Sequence, residues 1–240
     1  MLLPLLFSCK KEDDRFPLGK LEEVDKYHLD IKETSGLAFG PDRKTLLTVS
    51  DNTGQIYEMD LQGHVLRTLA YKGGDLEGVA YNSEENMVAV VEERKREVVL
   101  VDYDSGQEIA RYPVDVEAND DNKGPEGISW TGEGNTYYIV NEKNPSVLLL
   151  WDREDGIVES RYLDLGSDNS GIFVSVEDGG LWILSDEGES VYQCDGEGNV
   201  LKRYDVGINK PEGIVVDTEN NRMYVVRDLF SKLFVFDIVM

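Results

Sequence analysis

The chain has 240 residues, 40% of them hydrophobic, which suffices for one core of ordinary domain size. Its 24 Lys and Arg face 48 Asp and Glu, and the formal charge of −24 repels phosphate backbones, which argues against a nucleic-acid partner. Two cysteines and two histidines leave no thiolate metal site and disfavour zinc.

Residues 1–19 read as a signal remnant and flexible tether, and 20–240 as one domain. Leu6-Phe7-Ser8-Cys9 ends an apolar run and resembles a lipobox, whose cysteine is lipidated and becomes the mature N-terminus. Cys9 is therefore expected to anchor the protein in a bacterial envelope membrane, the outer one foremost, facing the periplasm or the cell surface. The lipid would be its only membrane contact, because no other run reaches 18 consecutive apolar residues.

Val24–Asp30 is a lone strand, and five similar units follow it. Each opens on an acid or serine followed by glycine: Ser35-Gly36, Glu77-Gly78, Glu126-Gly127, Ser170-Gly171 and Glu212-Gly213. The glycines are 42, 49, 44 and 42 residues apart, the period of a four-stranded propeller blade. After each glycine come a short apolar strand, a polar turn, and a second strand such as Leu46–Val49 or Leu181–Leu184. A third strand ends at Asp60, Asp102, Asp152, Asp195 or Asp237. Glycine follows the first four aspartates, which marks hairpin turns that their side chains cap. The fifth unit lacks a fourth strand, and the lone N-terminal strand supplies it. The predicted fold is all-β: a five-bladed propeller of four-stranded blades with little helix, its last blade closed by the N-terminal strand.

Fifteen residues after each signature glycine the residue is acidic in all five units: Asp51, Glu93, Glu142, Asp186 and Asp228. Neighbouring strands of a blade run antiparallel, so the first strand's start and the second strand's end share one face. Glu77, Glu126 and Glu212 therefore join the five acids at one mouth of the central channel, with Glu33, Asp75, Glu92, Asp168 and Glu187 nearby. Ring carboxylates about 7 Å apart repel by roughly 0.6 kcal/mol per pair even at the dielectric of water. Three things can offset this: a hard cation, Ca2+ foremost, held by carboxylate and amide oxygens including Asn52, Asn141 and Asn144; the neighbouring Arg94, Lys143, Lys210 and Arg227; or protonation. His28 lies in the closing strand and His64 in a turn on the opposite face, so neither is placed to serve as a catalytic base.

Glu33-Thr34-Ser35-Gly36-Leu37-Ala38, Ser50–Tyr57, Asp75-Leu76-Glu77-Gly78, Val91-Glu92-Glu93-Arg94, Asn141–Pro145 and Lys210-Pro211-Glu212-Gly213 occur in order, and in them the chain resembles the SdiA-regulated (YjiK-like) propellers over residues 22–238. Arg227-Asp228-Leu229-Phe230 departs from the Ser-Glu-Pro-like segment expected there. The resemblance implies a five-bladed propeller in an exported or membrane-associated protein, and no established reaction. Two functions stay open: a binding module whose mouth holds a cation and a small polar or cationic ligand, and a Ca2+-dependent hydrolase of phosphoesters or lactones.

Overall fold

In the computed structural model, residues 15–116, 124–165 and 168–239 are described; Cys9 lies outside them. Among the described residues, runs of β-branched and aromatic residues, most of them stopped by Gly, Asn or Asp, form twenty strands, and the only helical turn is a single 3-10 turn at Pro41–Arg43. The chain enters through β1 (Lys20–His28). Blade 1 holds β2 (Thr34–Phe39), β3 (Thr45–Ser50), β4 (Gln55–Asp60) and β5 (Val65–Lys72). Blade 2 holds β6 (Leu76–Asn82), β7 (Met87–Glu92), β8 (Glu97–Asp102) and β9 (Glu108–Pro113). Blade 3 follows with β10 (Pro125–Trp130), β11 (Thr136–Asn141), β12 (Val147–Asp152) and β13 (Gly156–Tyr162). Blade 4 has β14 (Asn169–Ser175), β15 (Gly180–Ser185), β16 (Ser190–Cys194) and β17 (Val200–Asp205). Blade 5 has β18 (Pro211–Asp217), β19 (Arg222–Arg227) and β20 (Lys232–Val239).

Four blades are simple meanders, whereas the fifth is ordered β1-β20-β19-β18, so the N-terminal strand closes the ring as expected. It runs antiparallel to β20 from Lys20↔Val239 to His28↔Lys232, four residues earlier at its start than the expected Val24–Asp30. Leu29 then leaves the strand and is buried with Leu46 and Met59 of blade 1 and Leu233 of blade 5, joining first and last blades. The expected boundary at residue 19 falls within a stretch that lies on blade 4. Arg203 N–H donates to Pro17 and Gly19 N–H to Arg203, which occupies the open edge of β17.

Middle strands are covered by blades on both sides, so they are apolar on both faces: every residue of β7 is buried. Outer strands alternate, as in β9, and meet solvent. The signature glycines lie inside the innermost strands rather than before them, and they form the waist. A Cβ on Gly78 would stand 2.5 Å from the Glu126 carbonyl oxygen, and one on Gly213 2.5 Å from the Gly36 carbonyl carbon. Only a residue without a side chain permits five strands to approach so closely. Between these glycines no room is left for a water, so the channel is two separate mouths.

An acidic mouth at one end of the channel

In blades 2 to 5 the pairing register slips at the signature residue: Leu76 pairs with Glu92 and Gly78 with Val91, leaving Glu77 as the extra residue of a β-bulge. Glu126, Ser170 and Glu212 occupy the same bulge. In blade 1 the slip falls on Gly36. A bulge re-aims its extra side chain, here toward the channel. The two serines do structural work: Ser35 Oγ donates to the Glu77 carbonyl (2.9 Å) and Ser170 Oγ to that of Pro211 (2.7 Å), each stitching one inner strand to the next.

The position fifteen after the glycine follows the second strand and is clipped by its backbone to the position three before the glycine. Asp51 N–H donates to Glu33 O, Glu93 to Asp75, Glu142 to Gly124 and Asp186 to Asp168, at 3.0–3.2 Å. Glu33, Asp75 and Lys210 hold positive φ values of 45°, 59° and 55° at that kink, a conformation costly for residues with a Cβ. The result is one cavity of about 300 Å³ lined by Asp51, Glu77, Glu93, Glu126, Glu142, Asp186, Glu212 and Asp228, the eight acids placed at the mouth from the sequence, together with Glu33, Asp168 and Lys210.

The ring is not uniform. At the junction of blades 1 and 2, carboxylate oxygens of Asp51, Asp75 and Glu77 lie within 4.8 Å of one another, and those of Glu93, Glu126 and Glu142 do the same between blades 2 and 3. At the next junction a lysine intervenes: Lys143 Nζ is 2.7 Å from both Glu142 and Asp168. Lys210 lines the wall in blade 5. Arg94 pairs with Asp75 at 3.2 Å from an exposed position. Arg227 lies over the rings of Phe230 (5.8 Å) and Phe234 (5.3 Å) instead of a ring acid. Among the described residues Glu142 Oε2, Asp168 Oδ1 and Asp186 Oδ1 are buried without a hydrogen-bond partner, although Asp168 as a whole is only 6% exposed.

Crowding and desolvation act on these groups together. Burial, then Asp51 and Glu93 against the relief of the Ser35 hydroxyl, pushes Glu77 up to about 8. Burial followed by Glu77, Asp186 and Asp228 takes Glu212 to about 9. Burial raises Glu142 to about 7, with Lys143 opposing and Asp168 reinforcing it, and Asp186 to about 6, with Asp168 reinforcing. Glu126 is driven well above the carboxylate range by burial and by Glu77, Glu93, Glu212 and Glu142. Asp51, Glu93 and Asp228 shift upward as well, burial being the first cause.

Glu92 and Glu187, expected near the ring, do not line the cavity itself. Glu92 ends β7 facing away from the cavity, because successive strand residues point to opposite sides. Burial opposes its charge, but Lys95 and the Tyr71 hydroxyl outweigh that, and its carboxyl is lowered. Glu187 is half exposed, 4.0 Å from Lys143. Asn141 is buried, its amide donating to Pro145 O while Oδ1 is unpartnered. The bulge went unrecognised in the sequence; the only signal for the second register was acid at Glu33, Asp75 and Asp168, three residues before their glycines.

At the other end of the channel the inner strands finish in a cavity of about 350 Å³ with aromatic walls, among them Phe39, Tyr81, Trp130 and Phe173. Arg43 of blade 1 and Glu177 of blade 4 form an ion pair across it.

Among solved structures, Myxococcus xanthus glutaminyl cyclase is similar at 15% identity with a TM-score of 0.71, over 93% of this chain and 100% of that one. Kuenenia stuttgartiensis hydrazine synthase matches at 19% and 0.55, over 83% of this chain and 56% of that one. The Myceliophteria thermophila Cps50 (Swd1) propeller domain matches at 9% and 0.52, over 87% and 65%. At such identities the likeness is one of fold. The SdiA-regulated family model matches residues 21–236, and the chain belongs to that family.

Proposed function

We propose that this protein is a binding module of the bacterial cell envelope, carried on a lipid at Cys9, whose acidic mouth holds a hard divalent cation, Ca2+ foremost. One observation carries the cation: carboxylates converge in two triads, Asp51/Asp75/Glu77 and Glu93/Glu126/Glu142, each with a single basic partner, Arg94 on Asp75 and Lys143 on Glu142, beside buried carboxylate oxygens without partners. Ca2+ takes six to eight oxygen ligands in flexible geometry, which suits clustered carboxylates, and a bound dication removes the repulsion that now raises their proton affinity. The lipid rests on the pattern Leu6-Phe7-Ser8-Cys9. It predicts that Cys9→Ala loses metabolic labelling by a fatty-acid probe and moves from the membrane fraction to the soluble one.

Calcium titration by calorimetry, paired with melting in calcium and in chelator, tests the cation. Heat of binding and a melting point several degrees higher in calcium are expected, both diminished in Glu126→Gln, which disables one of the two triads. No heat and an unchanged melting point refute the site. A second possibility, a Ca2+-dependent hydrolase of phosphoesters or lactones, draws on Glu142 and Asp186, whose carboxyls sit at about 7 and about 6, values suited to general acid–base work near neutrality. Turnover that vanishes in a folded Glu142→Gln variant would favour it over pure binding.

A further inference from the structure

The cavity at the other end of the channel is built unlike the mouth. Its volume of about 350 Å³ falls within the range of small-molecule sites. Four blades each supply it with an aromatic ring: Phe39 from β2, Tyr81 from β6, Trp130 from β10 and Phe173 from β14. Phe39 and Phe173 meet edge to face at 5.9 Å. The polar ends of the other two rings are already engaged, Trp130 Nε1 donating to Gly134 O at 3.0 Å and the Tyr81 hydroxyl to Asn86 Oδ1 at 2.9 Å. Ser129 Oγ accepts from Val174 N–H at 3.0 Å. The walls therefore offer ring surface more than free polar groups.

Charge is balanced locally. Arg43 is ion-paired with Glu177, and Asp42 with Lys44 at 3.2 Å. Burial opposes the Glu177 charge, but the Arg43 contact outweighs it and the carboxyl is lowered, so the pair stands at neutral pH. Arg43 is the one cation among the described lining residues. A bound anion must compete with Glu177 for it, and a bound cation must compete with Arg43 for Glu177. A neutral guest disturbs no pair.

The arginine is also held at a cost. In the other four blades the turn between the first and second strands takes its left-handed residues from Gly and Asn, namely Asn86, Gly132, Gly134, Gly179 and Asn221, types that adopt positive φ readily. Blade 1 uses Asp42 and Arg43, both at φ 54°. That conformation, sparsely populated for arginine, sets the guanidinium 5.5 Å over the Phe39 ring and against Glu177 of blade 4. Blades 1 and 4 are not neighbours, so the pair frames the cavity instead of sealing a seam between adjacent blades. Strain kept at the edge of a cavity is a common mark of a binding site.

We propose that this far cavity binds an uncharged, planar aromatic small molecule, packed among Phe39, Tyr81, Trp130 and Phe173 beside the Arg43–Glu177 pair. The site is independent of the cation at the mouth, because the closed waist lies between them.

The test is calorimetry on the full chain with four probes: 2-naphthylmethanol, its fully saturated counterpart, 2-naphthoate and 2-naphthylmethylammonium. The aromatic alcohol should bind with a dissociation constant of about 0.1 mM or tighter, equally in calcium and in chelator. Edge and face contacts with the four rings predict a preference of about three- to tenfold over the saturated alcohol. The two charged probes should bind at least about tenfold more weakly, since each must displace a standing ion pair or enter unpaired. Val176 lines the cavity from an exposed turn, so Val176→Trp should melt as wild type does and lose the heat. Trp130→Leu should cut the aromatic preference to within about twofold. Arg43→Gly suits the backbone at φ 54° and leaves Glu177 unpaired, so the ammonium should gain about tenfold while the alcohol stays within about threefold. Equal binding of the saturated alcohol, tighter binding of either charged probe to the wild type, or no heat from any probe overturns the proposal. So does an aromatic-alcohol isotherm unaltered by both Val176→Trp and Trp130→Leu. None of these outcomes touches calcium binding at the mouth, and loss of calcium binding leaves this site standing.

Discussion

Each blade places acidic side chains at both ends of the disc, and the two ends treat them in opposite ways. At the far end Asp60, Asp102, Asp152 and Asp195 each accept backbone N–H bonds within their own hairpin, as Asp195 does from Glu197 and Asn199 at 2.9 Å. Hydrogen bonds from Ser105 lower the Asp102 carboxyl and those from Asn199 lower that of Asp195; at Asp60 burial works against the charge and the His64 contacts prevail. At the mouth the same chemical group finds other carboxylates and fewer donors, among them Gly124 N–H on Glu93 and Lys143 on Glu142, and every resolved carboxyl shift there is upward. A turn aspartate is complete within its own blade. A mouth carboxylate is not, and under the proposed function a cation from outside would complete it, which would separate the residues that build the disc from those that serve a ligand.

Closing the waist is what keeps the two ends apart, and breaking it gives the largest effect. Gly213→Ala drives a Cβ into the Gly36 backbone, which has no flexible end to yield. The expected cost is about 3 kcal/mol or more, a fall of at least about 6 °C in melting temperature. Gly74→Ala is the control, since its Cβ would meet nothing within 4 Å, and it should melt within a degree or so of wild type. Equal tolerance of both substitutions would mean that the inner strands do not pack as described.

The next effect is electrostatic and sharpens the comparison. A carboxyl raised in the folded state costs nothing below its ordinary value and destabilises progressively as pH climbs through the raised one. Glu142, Glu77 and Glu212, lifted from 4.5 to about 7, 8 and 9, therefore predict that in chelator the melting temperature falls between pH 4.5 and 9, on the order of 5–10 °C. Calcium should flatten the slope and bind more tightly as pH rises, because binding expels the protons. Glu126→Gln should melt above wild type at pH 8 in chelator, since the amide has no charge to confine. A flat pH profile in chelator would show that the mouth carboxylates are not crowded.

Much of this was legible in the sequence, for reasons that differ by feature. The blade period, the missing fourth strand and the acid fifteen residues after each glycine follow from strand alternation and hairpin spacing, which are local rules. The waist was legible because a glycine repeated at blade spacing has few other uses. Illegible was whatever depends on neighbours across blades. Glu92 and Glu93 are adjacent and identical, yet one meets Lys95 and Tyr71 while the other meets Asp75 and Asp51. Lys143 bridges two ring acids, whereas Arg227, just as close in sequence to a ring acid, stacks on phenyl rings. The bulge at Glu77, Glu126 and Glu212 leaves no composition signal at all; it appears only once two strands are in register.

The smallest effect belongs to the far end and reverses the sign. Asp195 is held below its ordinary 3.8, first by the Asn199 side chain and then by backbone N–H bonds, so its contribution is present at neutral pH and vanishes as pH falls through the lowered value. Asp195→Ala removes the acceptor and leaves the Glu197 and Asn199 amides to water, which at an exposed turn amounts to a melting point lower by a degree or two at pH 7. As pH falls through that lowered value the wild-type carboxyl itself protonates, and the two proteins should converge. Calcium affinity should be the same in both, since the closed waist separates this turn from the mouth. A calcium isotherm altered by Asp195→Ala would mean that the two ends are coupled, and the division between building and binding carboxylates would fail.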